Sequence, residues 1–326
     1  MRLVAVTKIL DEADIVEAFA RHTAHYVSHH VFLDNGSVDG TVEILSRLRN
    51  EGLSITVLQN GSRWFNEVIY NTFLYFIAFT ETDADWVAFL DADEFIDDRQ
   101  AVGGLATTLA QTHPSVPCVR VMLTNYHPSA HDNPLEPVVP LRIGWVEQRT
   151  DVPKVIVRSN LADRKVVIEA GGHGVLIDGG RICPCDDAAT VTLAHYPERS
   201  PFQTIAKFVR GWSRVLAAGQ SGVALNRSVH YRSRFDMLRD RPQDLLQSAW
   251  LHEFNRSAES MTFDPITYHG GPLRFTQLMD ESMRAARSLV GYLELLSREH
   301  GRLLDECPGA REMSAQWATS FARIIG

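Results

Sequence analysis

Residues 86–95 constrain this chain most: Trp86-Val87-Ala88-Phe89-Leu90 runs straight into Asp91-Ala92-Asp93-Glu94-Phe95. An unbroken apolar run of this length reads as a strand buried on both faces, as at the centre of a parallel sheet. Such a strand does not continue through three carboxylates. The acids therefore mark its C-terminal end, where open α/β sheets place their ligands. In an extended segment Asp91 and Asp93, two residues apart, point the same way. Carboxylates held that close repel each other unless a cation sits between them, and oxygen ligands suit Mg2+ or Mn2+. For a lone Asp-x-Asp an acidic surface turn is the commoner explanation, so the neighbouring segments decide.

The first hundred residues alternate strand and helix. Strands are expected at residues 3–6, 31–33, 55–58 and 86–90, with helices at about 12–29, after Ser37 or Asp39 up to Gly52, and at about 66–82. In the first helix Ile15, Val16, Phe19, Ala20, Thr23 and Val27 share one face. This alternation predicts a parallel, doubly wound sheet. Thr7 and Lys8, Asp34, and the Asp91/Asp93 pair then meet on one C-terminal edge. No Gly-x-Gly-x-x-Gly or Walker-type loop follows a strand, so neither of those phosphate cradles is available. Beyond residue 100, strands are expected at 118–123, 154–158, 166–168, 174–177 and 191–196. An irregular stretch covers 125–153, and the chain is mostly helical from 200, with a last helix at about 273–300.

The formal net charge of −8 argues against nucleic acid as the main partner. The four cysteines, Cys118, Cys183, Cys185 and Cys307, form no metal-knuckle spacing and read as free thiols in a reducing cytosol. No apolar stretch reaches the roughly 18 residues of a transmembrane helix, and no signal peptide is expected, because Met1-Arg2 leads directly into the first expected strand.

Lys8 and Glu12 after the first strand, then Leu33-Asp34-Asn35-Gly36-Ser37-Val38-Asp39-Gly40-Thr41, then Phe89-Leu90-Asp91-Ala92-Asp93-Glu94-Phe95, resemble the family 2-type glycosyltransferases. Lys154-Val155-Ile156, His173, His195-Tyr196 and Lys207 through Arg210-Gly211 follow in the same order, so the likeness spans about residues 1–215. It departs near Trp64-Phe65-Asn66-Glu67, where that branch often carries a glutamine ahead of Tyr70-Asn71.

The resemblance implies a GT-A fold, an α/β Rossmann-like and mostly parallel sheet flanked by helices. It covers residues 1–215, with a mainly helical C-terminal extension at 216–326. It implies a UDP- or GDP-sugar donor and Mn2+ or Mg2+. Thr7 and Lys8, with Glu12, Asn35 and Asn71, would line the nucleotide pocket, and Asp34 would contact the nucleoside. Asp91 would face the ribose and metal, Asp93 would ligate the metal, and His195 or His173 would add a ligand, His195 preferred because it ends a strand. Lys154, Lys207 or Arg210 would add positive charge, unless they are simply solvated charges. The base for an inverting transfer would come from Glu136, Glu147 or Asp151 in the irregular stretch. The acceptor would be a glycan or lipid-linked hydroxyl in cell-envelope polysaccharide synthesis. The enzyme would work in the cytoplasm or at the inner face of the membrane, with homodimerisation through the C-terminal helices as an option. The rival readings are a sugar-phosphate nucleotidyltransferase, whose Gly-rich basic loop is missing, and a non-catalytic carbohydrate-binding protein of the same fold.

Overall fold

Strand β4 (Trp86–Phe89) lies inside a sheet and buries both faces, as its apolar run predicts. Trp86 and Ala88 enter one core and Val87 and Phe89 the other. The computed structural model describes residues 1–60, 66–219, 229–246, 261–276 and 280–320.

Around β4 stand β1 (Leu3–Ile9), β2 (His29–Asp34) and β3 (Ile55–Gln59), all parallel to it. Beyond it come β5 (Glu94–Asp97), β6 (Cys118–His127), β7 (Trp145–Arg158) and β11 (Cys185–His195). The order is β3-β2-β1-β4-β7-β6-β11-β5, with β12 (Thr262–Phe263) added to β7. Only β7 and β5 run against the rest, so the described sheet is mostly parallel. A small second sheet holds β8 (Val167–Ile168), β9 (Val175–Ile177) and β10 (Arg181–Ile182).

Helices α1 (Val16–Thr23) and α2 (Thr41–Glu51) cover one face, where Phe19 and Phe32 pack edge to face. Helix α3 (Glu67–Thr82) covers the other with Leu74, Tyr75 and Ala78. Asn66 caps α3 by accepting from the Ile69 N–H. Helices α4 (Gly104–Gln111) and α5 (Val139–Arg142) are short. Helix α6 (Pro201–Ala217) starts at a Ser200 cap with proline at its first position, a strong start signal. Then come α7 (Val229–Asp240), α8 (Pro242–Leu246), α9 (Glu281–Glu306) and α10 (Pro308–Ser320), with α9 packed along α6.

Three expectations change. The irregular stretch shrinks, because β6 reaches His127 and β7 already begins at Trp145. Strand β5 follows the acidic turn directly and pairs with β11. The last long helix begins at Glu281 rather than near 273, because the backbone N–H groups of Arg274, Phe275 and Thr276 donate to the Glu17 carboxylate on α1. Residues 261–276 therefore form a strap across α1. Its Tyr268 ring stacks on His22 at 5.8 Å.

Candidate active site

Parallel register brings the expected strand ends together. Ile9 pairs with Asp34, and Val6 with Phe89, so the residues just beyond reach one edge. A cavity of about 640 Å³ opens there. Lys8, Glu12, Asn35, Asp91, Asp93 and His195 line its sheet side. Lys207, Arg210 and Arg214 of α6 face them, with Tyr231 and Arg234 of α7. The spacing of 207, 210 and 214 puts three cations on one face of α6.

Residues 91–94 make a turn rather than an extended segment. The Asp91 N–H donates to Glu94 Oε2 at 2.9 Å, and the Glu94 N–H donates to the Asp91 carbonyl at 3.0 Å. The two aspartates consequently have separate cationic partners. Asp91 Oδ2 accepts from Lys154 Nζ at 2.6 Å, and its Oδ1 lies 4.0 Å from Lys8 Nζ. Asp93 Oδ2 accepts from Lys207 Nζ at 2.6 Å, with Arg199 Nη1 at 3.7 Å and His195 Nε2 at 3.8 Å. Burial raises both carboxyls, but Lys154 and Lys8 outweigh it at Asp91, and Lys207, His195 and Arg199 outweigh it at Asp93. Both end below their ordinary values and are ionised at neutral pH. Glu94 goes the other way. Burial pushes it up to about 8, against the pull of Lys154.

Oxygens of Asp93 and Glu94 and a ring nitrogen of His195 lie within 4.8 Å of one another. His195 Nδ1 sits 2.8 Å from Asn125 Oδ1. With that nitrogen donating to Asn125, the Nε2 lone pair faces Asp93. Burial also pulls the ring down to about 4, so it is neutral and able to ligate. The ionised Asp93 carboxylate and an oriented imidazole, with Glu94 beside them, suit Mn2+ or Mg2+, and Asn125 supports the histidine from behind. Lysines already engage both acids, Lys207 at Asp93 and Lys154 at Glu94, but only Asp93 is held ionised, so Asp93 and His195 are the better-suited ligands.

The other expected residues fall into three groups. Thr7, Asn71 and Lys154 are buried behind the cavity wall. Thr7 bonds His30, Asn71 accepts from Lys8 Nζ, and Lys154 grips Asp91. Asp34 is also buried, and its carboxylate shapes its own turn by accepting from the Gly36 and Ser37 N–H groups. His173 and Asp151 stand apart. His173 is exposed, with Nδ1 2.7 Å from the Pro153 carbonyl, and Asp151 is exposed on β7; neither lines the cavity. Glu136 is absent from the cavity wall and bonds the Val138 N–H. Glu147 is on β7, with its side chain outside the described residues, as are Trp64 and Phe65.

Sequence reasoning missed Arg199, Asn125 and Glu198. Arg199 is 4% exposed, bonding Glu12 Oε2 at 2.5 Å and Asp14 Oδ2 at 2.7 Å. One signal for it existed. An arginine just before a helix N-terminus opposes the dipole, which suggests that its charge is matched elsewhere. Asn125 had no signal, because its role depends on the β6–β11 register.

Residues 12–169 match the family model described as Glycosyl transferase family 2. That stretch holds Asp34, Asp91, Asp93, Glu94 and Lys154, while His195, Arg199 and Lys207 lie beyond it. No curated protein matches the chain. Among solved structures it is similar to a mannosyltransferase, PcManGT from Pyrobaculum calidifontis, in complex with GDP-Man and Mn2+. The identity is 12%, over 97% of this chain and 84% of that one, with a TM-score of 0.39. It is also similar to glucosyl-3-phosphoglycerate synthase from Mycobacterium tuberculosis with Mn2+, UDP-Glc and phosphoglyceric acid. There the identity is 15%, over 65% of this chain and 79% of that one, with a TM-score of 0.32. Both are distant likenesses, and the family match over residues 12–169 is the informative one.

Proposed function

We propose that this chain, which carries a glycosyl transferase family 2 domain over residues 12–169, is a metal-dependent, inverting glycosyltransferase using a nucleotide-sugar donor. The observation that carries this reading is the meeting of Asp93, His195 and Lys207 at the strand edge of one large cavity. Cleaving the sugar–phosphate bond leaves negative charge on the nucleoside diphosphate. Lys8, Lys207 and Arg210 line the cavity where that charge develops, with Lys8 held by Asn71 and Lys207 by Asp93. A divalent cation on Asp93 and His195 would supply further positive charge to the same leaving group. Inversion also requires a carboxylate to take the acceptor proton. Beyond the acidic turn, Glu12, Glu67 and Glu198 are the carboxylates on the described cavity wall, and Asp151 is not among them. The acceptor is a hydroxyl of a glycan or a lipid-linked sugar.

The test is nucleoside diphosphate release from a panel of UDP- and GDP-sugars, with and without Mn2+. Release that needs Mn2+ and falls by about 10³-fold in Asp93→Ala supports the reading. Metal-independent release, or full activity in Asp93→Ala, overturns it. Pyrophosphate release from a nucleoside triphosphate and a sugar phosphate would identify a nucleotidyltransferase instead.

A further inference from the structure

Helix α9 lies beyond the family match, yet one of its side chains touches Arg210, which lines the cavity. Its buried residues are Ala285, Ser288 and Tyr292, a stripe at helical spacing. Ser288 is 2% exposed, and its Oγ contacts two charged groups from distant parts of the chain. It accepts from Arg210 Nη1 on α6 and donates to Asp11 Oδ2 in the β1–α1 loop. Arg210 Nη1 itself is 3.4 Å from Asp11 Oδ2, so the hydroxyl bridges a pair that barely touches. Asp11 has a left-handed backbone, with φ of 55°. It is held by the next turn: its N–H donates to Ser37 Oγ, and its Oδ1 accepts from the Val38 N–H, both at 2.8 Å. Helix α9 also touches that turn, since a Cβ on Gly291 would meet Val38 Cγ2 at 2.4 Å.

One hydroxyl thus ties together three segments that supply cavity residues. They are α6 with Lys207 and Arg210 and the β1–α1 loop with Glu12, which the hydroxyl bonds directly, and the turn after Asn35, which it reaches through Asp11. We propose that Ser288 is a positioning residue for the donor diphosphate, acting through Arg210. Without it, the Arg210 guanidinium is free to close directly onto Asp11 and withdraw from the cavity. This inference rests on the nucleotide-sugar reading above.

The isosteric pair Ser288→Thr and Ser288→Val separates the hydroxyl from the packing. Each variant is titrated with UDP and with GDP in the presence of Mn2+, and donor KM and kcat are measured alongside thermal melting. Ser288→Thr is expected to bind like the wild type. Ser288→Val is expected to weaken nucleoside diphosphate binding and raise donor KM about tenfold, as for one lost hydrogen bond to a charged group, with kcat within about twofold. Equal binding by the Thr and Val variants overturns the inference. So does a loss confined to kcat and melting temperature, which is the mark of a purely structural contact. If the wild type binds neither nucleotide, the nucleotide-sugar reading fails instead. Gly291→Ala, which presses α9 off Val38, gives a second readout in the same direction if Ser288→Val does not fold.

Discussion

At the residue scale the site depends on which atoms are already engaged. His195 presents Nε2 toward Asp93 because Asn125 holds the opposite nitrogen. Supports behind metal ligands typically matter by about 10–100-fold in metal affinity. Asn125→Ala should therefore raise the Mn2+ concentration for half-maximal activity by about tenfold or more, while activity at saturating Mn2+ is largely kept. A metal titration of initial rates checks this, and an unshifted curve would remove His195 from the metal site. The contrast between His195 and His173 has the same basis. Both were readable as histidines near strand ends, but the Nδ1 atom of His173 turns to the Pro153 carbonyl on an exposed surface.

At the element scale one carboxylate fastens the C-terminal end of the strap to α1. Glu17 is buried and accepts from the backbone of Arg274, Phe275 and Thr276 and from the Thr276 hydroxyl. Burial pushes its pKa up, but these donors outweigh it, so the folded value lies below the ordinary glutamate value. A carboxyl lowered on folding contributes stability above its unfolded pKa, and that contribution disappears as pH falls through the folded pKa. Glu17→Gln should cost about 1–3 kcal/mol near pH 7. The gap between the two proteins should close as pH drops below about 4.5. Urea midpoints across that range test the sign; a gap that widens toward acid would refute it. The strap also shows why parts of the fold were hard to read. Strand β4 announced itself because both faces are buried, and the edge acids because they interrupt an apolar run. The first half of β7 carries mixed side chains through a partly exposed region, so no period marked it as a strand. Residues 273–276 have a helical continuation in sequence, but Glu17, more than 250 positions away, captures their N–H groups first.

At the scale of the whole molecule, Arg199 joins the parallel half of the sheet to α6. Its side chain is 1% exposed and pairs with both Glu12 and Asp14. Arg199→Met leaves two partly buried carboxylates without their counter-charge, a loss of at most about 3–5 kcal/mol, the figure for a broken buried pair. Denaturant unfolding should shift accordingly; an unchanged midpoint would mean that the pair is dispensable. The bridge from Asp11 to Ser288 has another consequence. It spans 277 positions, and Asp93 to Lys207 spans 114. A ribosome adding roughly 5–20 residues per second takes roughly 14–55 s to travel from Asp11 to Ser288. The parallel half can form early in that interval, but the cavity wall is tied only after α9 has emerged. Completion of the site is therefore timed by translation, and a chain stalled before Ser288 would carry the acidic turn without the buttress behind it.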